Sequence, residues 1–236
     1  MHEFDFSFFF DGKEIFHKPL WPEGEPAWSA LENLDAYLKE SSLGTIEIDL
    51  PAGVYLENAS DISIGKGTTV EPGAFIRGPC MIGENCTIRH GAYIRGNVIT
   101  GDHSVIGHDT EIKHSILFPH AKAAHFAYVG DSILGSYVNL GAGVKCANFR
   151  LDEKPVTIFW NGSYHKTGLC KMGSIIGDRV QIGCNTVMNP GSLIGPDSYL
   201  APLLNCNGVI PSFSLVRSKG ITRRNTSRRN THESGL

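Results

Sequence analysis

Ile62-Ser-Ile-Gly-Lys-Gly-Thr-Thr-Val-Glu-Pro-Gly-Ala-Phe-Ile-Arg-Gly-Pro-Cys-Met-Ile-Gly-Glu-Asn-Cys-Thr-Ile88 decides the fold. Ile64, Val70, Ile76, Ile82 and Ile88 recur every six residues, and the series continues through Ile94, Ile106 and Ile112 with Thr100 as its one polar member. A second run in a shifted register holds Ile116, Tyr128, Leu134 and Leu140, and a third holds Ile176, Ile182, Met188, Ile194 and Leu200. Glycine follows the aliphatic residue at 65, 83, 107, 135, 141, 177, 183 and 195. Neither an amphipathic helix nor an alternating strand keeps a period of six for this long. Each hexad is therefore a short strand and a turn, with its aliphatic residue on the axis, and three hexads close a triangular coil of about 18 residues. One coil leaves apolar surface bare above and below, so coils must stack into a prism. The fold class is all-β, and residues 60–216 supply roughly eight or nine coils.

Outside the prism the pattern changes. Residues 1–59 form a short α/β cap: the aromatic run Phe4 to Phe10 and the Asp11-Gly12 turn predict one or two short strands and a Pro-rich loop. Trp28, Leu31, Leu34, Tyr37 and Leu38 then fall at helical spacing. That helix is expected to cover the exposed first coil. Residues 149–172 carry no hexads and read as a loop extruded from the prism. The segment 217–236 has six cations against one acid, which leaves about −8 on a body whose whole chain is −3. Polar and repetitive, it reads as a disordered basic tail, with nucleic-acid or membrane-surface contact a minority reading.

At 236 residues and 41% hydrophobic content the chain can bury a substantial core. No apolar run approaches the roughly 18 residues of a membrane span, and Met1-His-Glu-Phe-Asp lacks the basic start of a signal peptide. A cytoplasmic protein without membrane contact is expected. Six scattered cysteines with no CxxC read as free buried thiols rather than disulfides or a zinc site.

Ionisable residues interrupt the scaffold in one region. Arg95 and Lys113 are one coil apart and stack as a pair of positive charges, and Glu111 shares the strand of Lys113. His125, Tyr128, Asn139, Asn148 and Lys154 follow. Such a group suits an anionic ligand, with a histidine oriented by a carboxylate as general base. Each residue also has a plainer reading: exterior charges for Arg95 and Lys113, a satisfied structural histidine for His125, packing for Tyr128, and corner residues for Asn139 and Asn148.

Lys122-Ala-Ala-His-Phe-Ala-Tyr-Val-Gly-Asp-Ser-Ile-Leu-Gly-Ser-Tyr-Val-Asn-Leu-Gly-Ala-Gly-Val-Lys-Cys-Ala-Asn148 resembles the acetyltransferase half of the bifunctional N-acetylglucosamine-1-phosphate uridyltransferase/glucosamine-1-phosphate acetyltransferase family, over roughly residues 60–205. The resemblance implies a left-handed parallel β-helix, a homotrimer and acetyl-coenzyme A as co-substrate, bound between subunits. It places the general base on His125 and the supporting acid on Glu111. Sugar-phosphate contacts fall on Arg95, Lys113, Tyr128, Asn139 and Lys154, and donor-side contacts on Ala142, Asn148 and Cys184. No metal is implied. Departures are the missing nucleotidyltransferase half, Phe149 in place of a tyrosine, Cys184 in place of a serine, and a loop at 149–172 longer by about 17 residues.

Acyl transfer from a coenzyme A thioester to the amine of a sugar phosphate such as glucosamine 1-phosphate is the expected activity. Two alternatives stand beside it. One is a non-catalytic relative that binds the sugar phosphate or coenzyme A. The other is a zinc hydratase on the same scaffold, using His103, His108, His114 and His120.

Overall fold

The computed structural model describes residues 3–11 and 16–224. From Ile46, which bridges to Ile64, the chain winds through about nine turns of a left-handed parallel β-helix. Face I runs from Tyr55–Glu57 through Glu111–Lys113 and Tyr128–Gly130 to Asn205–Cys206. Face II runs from Ile62–Ile64 through Ser115–Leu117 to Val209–Ile210, and face III from Thr69–Val70 through Lys122–His125 to Ser214–Arg217. The chain always turns from face III to I, then II, then III again.

The hexad aliphatics form the axial core: Ile64, Val70, Ile76, Ile82, Ile88, Ile94, Ile106 and Ile112 are all buried. Thr100 stays among them because its hydroxyl accepts the Gly83 N–H at 3.2 Å. One assignment is corrected. After Ile112 the next axial residue is Leu117 rather than Ile116, and later Val129 rather than Tyr128. Strand side chains alternate, so a five-residue step at the corner turns Ile116 and Tyr128 outward. At Gly107 the corner needs glycine, since a Cβ there would run into the Ala124 carbonyl.

Outward-facing residues of face II make a second apolar column. Met81 pairs with Ile99, Ile99 with Ile116, Ile116 with Ile133, Ile133 with Ile175, and Ile175 with Leu193. Ile99, Ile116, Ile133, Ile175 and Leu193 are fully buried, although they point away from the axis. Their cover is the N-terminal segment: helix α1 (Phe6–Phe9), capped by Asp5, and helix α2 (Ser29–Glu40), with Phe4, Trp28, Leu31, Leu34 and Leu38 in the same cluster. The helix therefore lies along a side of the prism instead of closing its first coil. Burying each aliphatic side chain contributes about 2 kcal/mol, which a cap on the end coil would not have recovered from this column. Strands expected near the N-terminus are not found among the described residues, where Phe6–Phe9 is helical.

Residues 149–172 also differ from the extruded loop expected. Thr157–Trp160 and Ser163–Lys166 pair as an antiparallel hairpin, and Val156, Ile158 and Met172 join the cluster over face II. Trp160 Nε1 donates to Glu3 Oε1 at 2.5 Å, tying the hairpin to the N-terminal segment. At the far end, Ser214–Arg217 and Gly220–Arg223 form a second hairpin, so residues 217–223 are not a disordered tail. The remainder of that tail, 225–236, lies outside the described residues. All six cysteines are free, and four are buried as expected, whereas Cys170 and Cys184 are exposed.

Candidate active site

Where face III turns into face I, residues from successive coils stack on one edge. Each carbonyl there accepts an N–H from the next turn: His90 from Asp109, His108 from Phe126, His125 from Gly143, Ala142 from Asn185 and Cys184 from Leu203, at 2.7 to 3.3 Å. His125, Ala142 and Cys184 are thus consecutive rungs of one column. The two histidines below are tied down. His90 Nδ1 bonds the Pro72 carbonyl at 2.8 Å and His108 Nδ1 the His90 carbonyl at 3.0 Å, while His108 Nε2 lies 3.2 Å from Asp109. His125 breaks the series: it is exposed, and no side-chain hydrogen bond engages either ring nitrogen among the described residues.

Face I carries the charged residues. Arg95 Nη1 and Glu111 Oε1 are 2.5 Å apart, and this pairing raises the arginine pKa. The expected Glu111–His125 hydrogen bond is not formed, because the carboxylate faces the guanidinium. Lys113 Nζ reaches Asp131 Oδ2 at 2.7 Å. Asn148 Nδ2 donates to the same oxygen, and Tyr128 Oη donates to Asn148 Oδ1 at 3.4 Å. Burial, then the charges of Glu111 and Asp131, push the Tyr128 phenol up. Asn148 accordingly sits with Lys113 and Tyr128, not on the edge with Ala142 and Cys184. Asn139 lies on face III between Lys122 and Gln181, and Lys154 is exposed beside the Arg150–Asp152 pair.

At the opposite margin, where face I turns into face II, Arg95 and Lys113 border a pocket of about 310 Å³ that also takes in Asn97, His114, Asp131 and, from α2, Asp35. None of these last four is expected at the phosphate site from the sequence, where His114 enters only through the hydratase alternative. Asp131 lies 18 residues after Lys113, but a 17-residue coil pairs Lys113 with Gly130 and puts Asp131 on the corner one rung above His114, which the six-residue repeat does not show. Nothing in the repeat announces Asp35, which arrives from outside the prism.

The histidines of the hydratase alternative do not converge. His103 and His120 stack at 4.7 Å on the edge between faces II and III, His108 is on the III–I edge, and His114 on the I–II edge. Four imidazoles spread over three edges supply no common metal position.

The profile of the GMPPB C-terminal domain family matches residues 76–194. The chain belongs to that family. Membership covers Arg95 through Cys184, whereas α2 and its Asp35 precede the matched residues. An uncharacterized acetyltransferase, YaiX of Escherichia coli O6:K15:H31, is 35% identical over 156 residues, 66% of this chain and 68% of that protein. The bifunctional protein GlmU of Methanococcus maripaludis strain C5 is 39% identical over 109 residues, 46% of this chain. A bifunctional sugar-1-phosphate nucleotidylyltransferase/acetyltransferase of Sulfurisphaera tokodaii is 39% identical over 92 residues, 39% of this chain. The alignments span only 26% and 23% of those two bifunctional proteins. Among solved structures, LpxA, a UDP-N-acetylglucosamine acyltransferase from Bacteroides fragilis, superposes with a TM-score of 0.53 at 16% identity over 74% of this chain and 73% of its own, a likeness of fold. The GMPPB C-terminal domain match and the YaiX alignment together make this chain a hexapeptide-repeat protein of the acyltransferase class.

Proposed function

We propose that this chain transfers an acetyl group from coenzyme A to the amine of an amino-sugar phosphate. The observation that carries the reading is His125: among the described residues it alone of the three histidines on its edge keeps both ring nitrogens free, and it is followed on that edge by Ala142 and Cys184. An unengaged, exposed imidazole is available to take a proton. Across face I, Arg95 and Lys113 each hold one carboxylate and retain further N–H donors for a phosphate.

In this reading the sugar lies over Tyr128, with its phosphate at Arg95 and Lys113 and its amine beside His125. The amine nitrogen attacks the thioester carbonyl, the N–C bond forms as the C–S bond breaks, and His125 takes the amine proton and returns it to the departing thiolate. An N–H on the edge near Ala142 or Cys184 stabilises the oxyanion. Glu111 serves first to hold Arg95 in place.

A homotrimer fits the surface that remains. Face II is covered, whereas Phe126 and Leu203 stand 52% and 77% exposed on the III–I edge, where a neighbouring subunit would bury them. A cytoplasmic location accords with the absence, among the described residues, of any helix long and apolar enough to cross a membrane. Acetylation of glucosamine 1-phosphate by the purified chain, compared with His125→Ala, tests the function; equal turnover by the two proteins removes His125 as base. Binding of coenzyme A without turnover would favour the non-catalytic reading instead.

A further inference from the structure

Arg95 and Lys113 do not stand at the end of the binding face. Beyond them, on the side away from His125, lies the pocket bordered by Asp35, Asn97 and His114. A sugar monophosphate with its amine at His125 would end at the two cations and leave that pocket empty. From this we infer that the acceptor's phosphate is a bridge: the amino sugar is joined through a phosphodiester or diphosphate to a second hydroxylated group of nucleoside size, and the α2 pocket holds that group. The inference rests on the sugar-phosphate reading and narrows its substrate class.

Three observations support it. The first is charge. Arg95 is paired with Glu111 and Lys113 with Asp131, so the four groups sum to zero. A phosphomonoester concentrates about −1.5 to −2 on one phosphate at neutral pH, whereas a diphosphate linkage spreads a similar total as one charge per phosphate, one for each paired cation. The second is size and chemistry. About 310 Å³ is room for a nucleoside, and the wall is polar. Asp35 is half exposed on α2 and offers carboxylate oxygens to vicinal hydroxyls.

The third is an unmet acceptor. Asn97 Nδ2 lies 3.3 Å from Asp35 Oδ1 and 3.4 Å from His114 Nδ1, yet its Oδ1 has no hydrogen-bond partner among the described residues. His114 is fixed in turn through Nε2 to the Leu31 carbonyl at 2.9 Å. A buried acceptor left unmet is unfavourable, and a donor from the ligand would relieve that. Helix α2 reaches the pocket because the face II column holds the N-terminal segment down.

Calorimetric titration of the full chain with uridine diphosphate-glucosamine and with glucosamine 1-phosphate tests the inference. The expected result is at least tenfold tighter binding of the diphosphate-linked sugar, lost in Asp35→Ala and kept in Lys39→Ala, which removes only the 2.5 Å ion pair along the helix. Equal or weaker binding of the diphosphate-linked sugar overturns it. So does an Asp35→Ala variant that keeps the preference. The readout is affinity, so a lack of turnover with both sugars would count against acyl transfer and leave the pocket to be judged by these affinities.

Discussion

Lys113 Nζ lies 2.7 Å from Asp131 Oδ2 one coil later, with only 17% and 8% of the two side chains exposed. The sequence shows both charges, but only the winding of the chain makes them neighbours. Asn148 donates to the same carboxylate, so Asp131 organises that end of face I.

Replacing Asp131 with Ala leaves Lys113 uncompensated in a largely buried position and strips Asn148 of its acceptor. Loss of one partner from a buried pair costs about 3–5 kcal/mol. Urea unfolding should show a destabilisation of about that size, and sugar-phosphate affinity should fall with it.

His125→Ala should leave stability nearly unchanged, because the ring is exposed and forms no hydrogen bond among the described residues. Loss of a general base should lower kcat by about 10²–10⁴-fold with little change in KM. Steady-state kinetics and the urea midpoint, measured on the same preparation, check both halves.

Ile133→Ala removes a fully buried side chain from the outward column of face II, not from the axis. The cost should be about 2–5 kcal/mol. Fluorescence of Trp21 and Trp28, both buried in that cluster, should report release of the N-terminal segment at lower urea than loss of the β-helix.

Burial pushes the Cys80 and Cys146 thiols up to about 12, from a usual 9.0. A thiol reagent at pH 8 should therefore modify two cysteines quickly in the native chain, Cys170 and Cys184, and all six after denaturation. The folded pKa values are raised, so their contribution to stability is full below pH 9.0 and is lost as pH rises toward about 12. Each thiol contributes a slope of about 1.4 kcal/mol per pH unit in that window. A urea midpoint that does not fall between pH 9 and 11 would contradict this.

Much of the fold was legible because its rule is local: an aliphatic residue every six positions states the coil, and Ile64 through Ile112 obey it without exception of burial. Ile116 and Tyr128 were misassigned because a corner shortened by one residue inverts inside and outside while leaving the composition unchanged. Ile99, Ile133 and Ile175 looked like ordinary strand residues. Only their stacking across coils makes a stripe, and that stripe decides where α2 lies. In the candidate site, the edge with His125, Ala142 and Cys184 was reachable through resemblance. The Arg95–Glu111 pairing was not, since two residues on neighbouring strands leave open which partner a carboxylate chooses.

The hairpin at 157–166 enters at a corner, and the strands on either side close up as if it were absent. Ser174 N donates to Ser132 Oγ at 2.9 Å across 42 positions of sequence, the same contact that Ser132 N makes to Ser115 Oγ across 17. Length at this vertex is therefore mechanically free: the column transmits its register past the addition. Lineages can lengthen, shorten or restyle what overhangs the prism there while inheriting the spine unaltered.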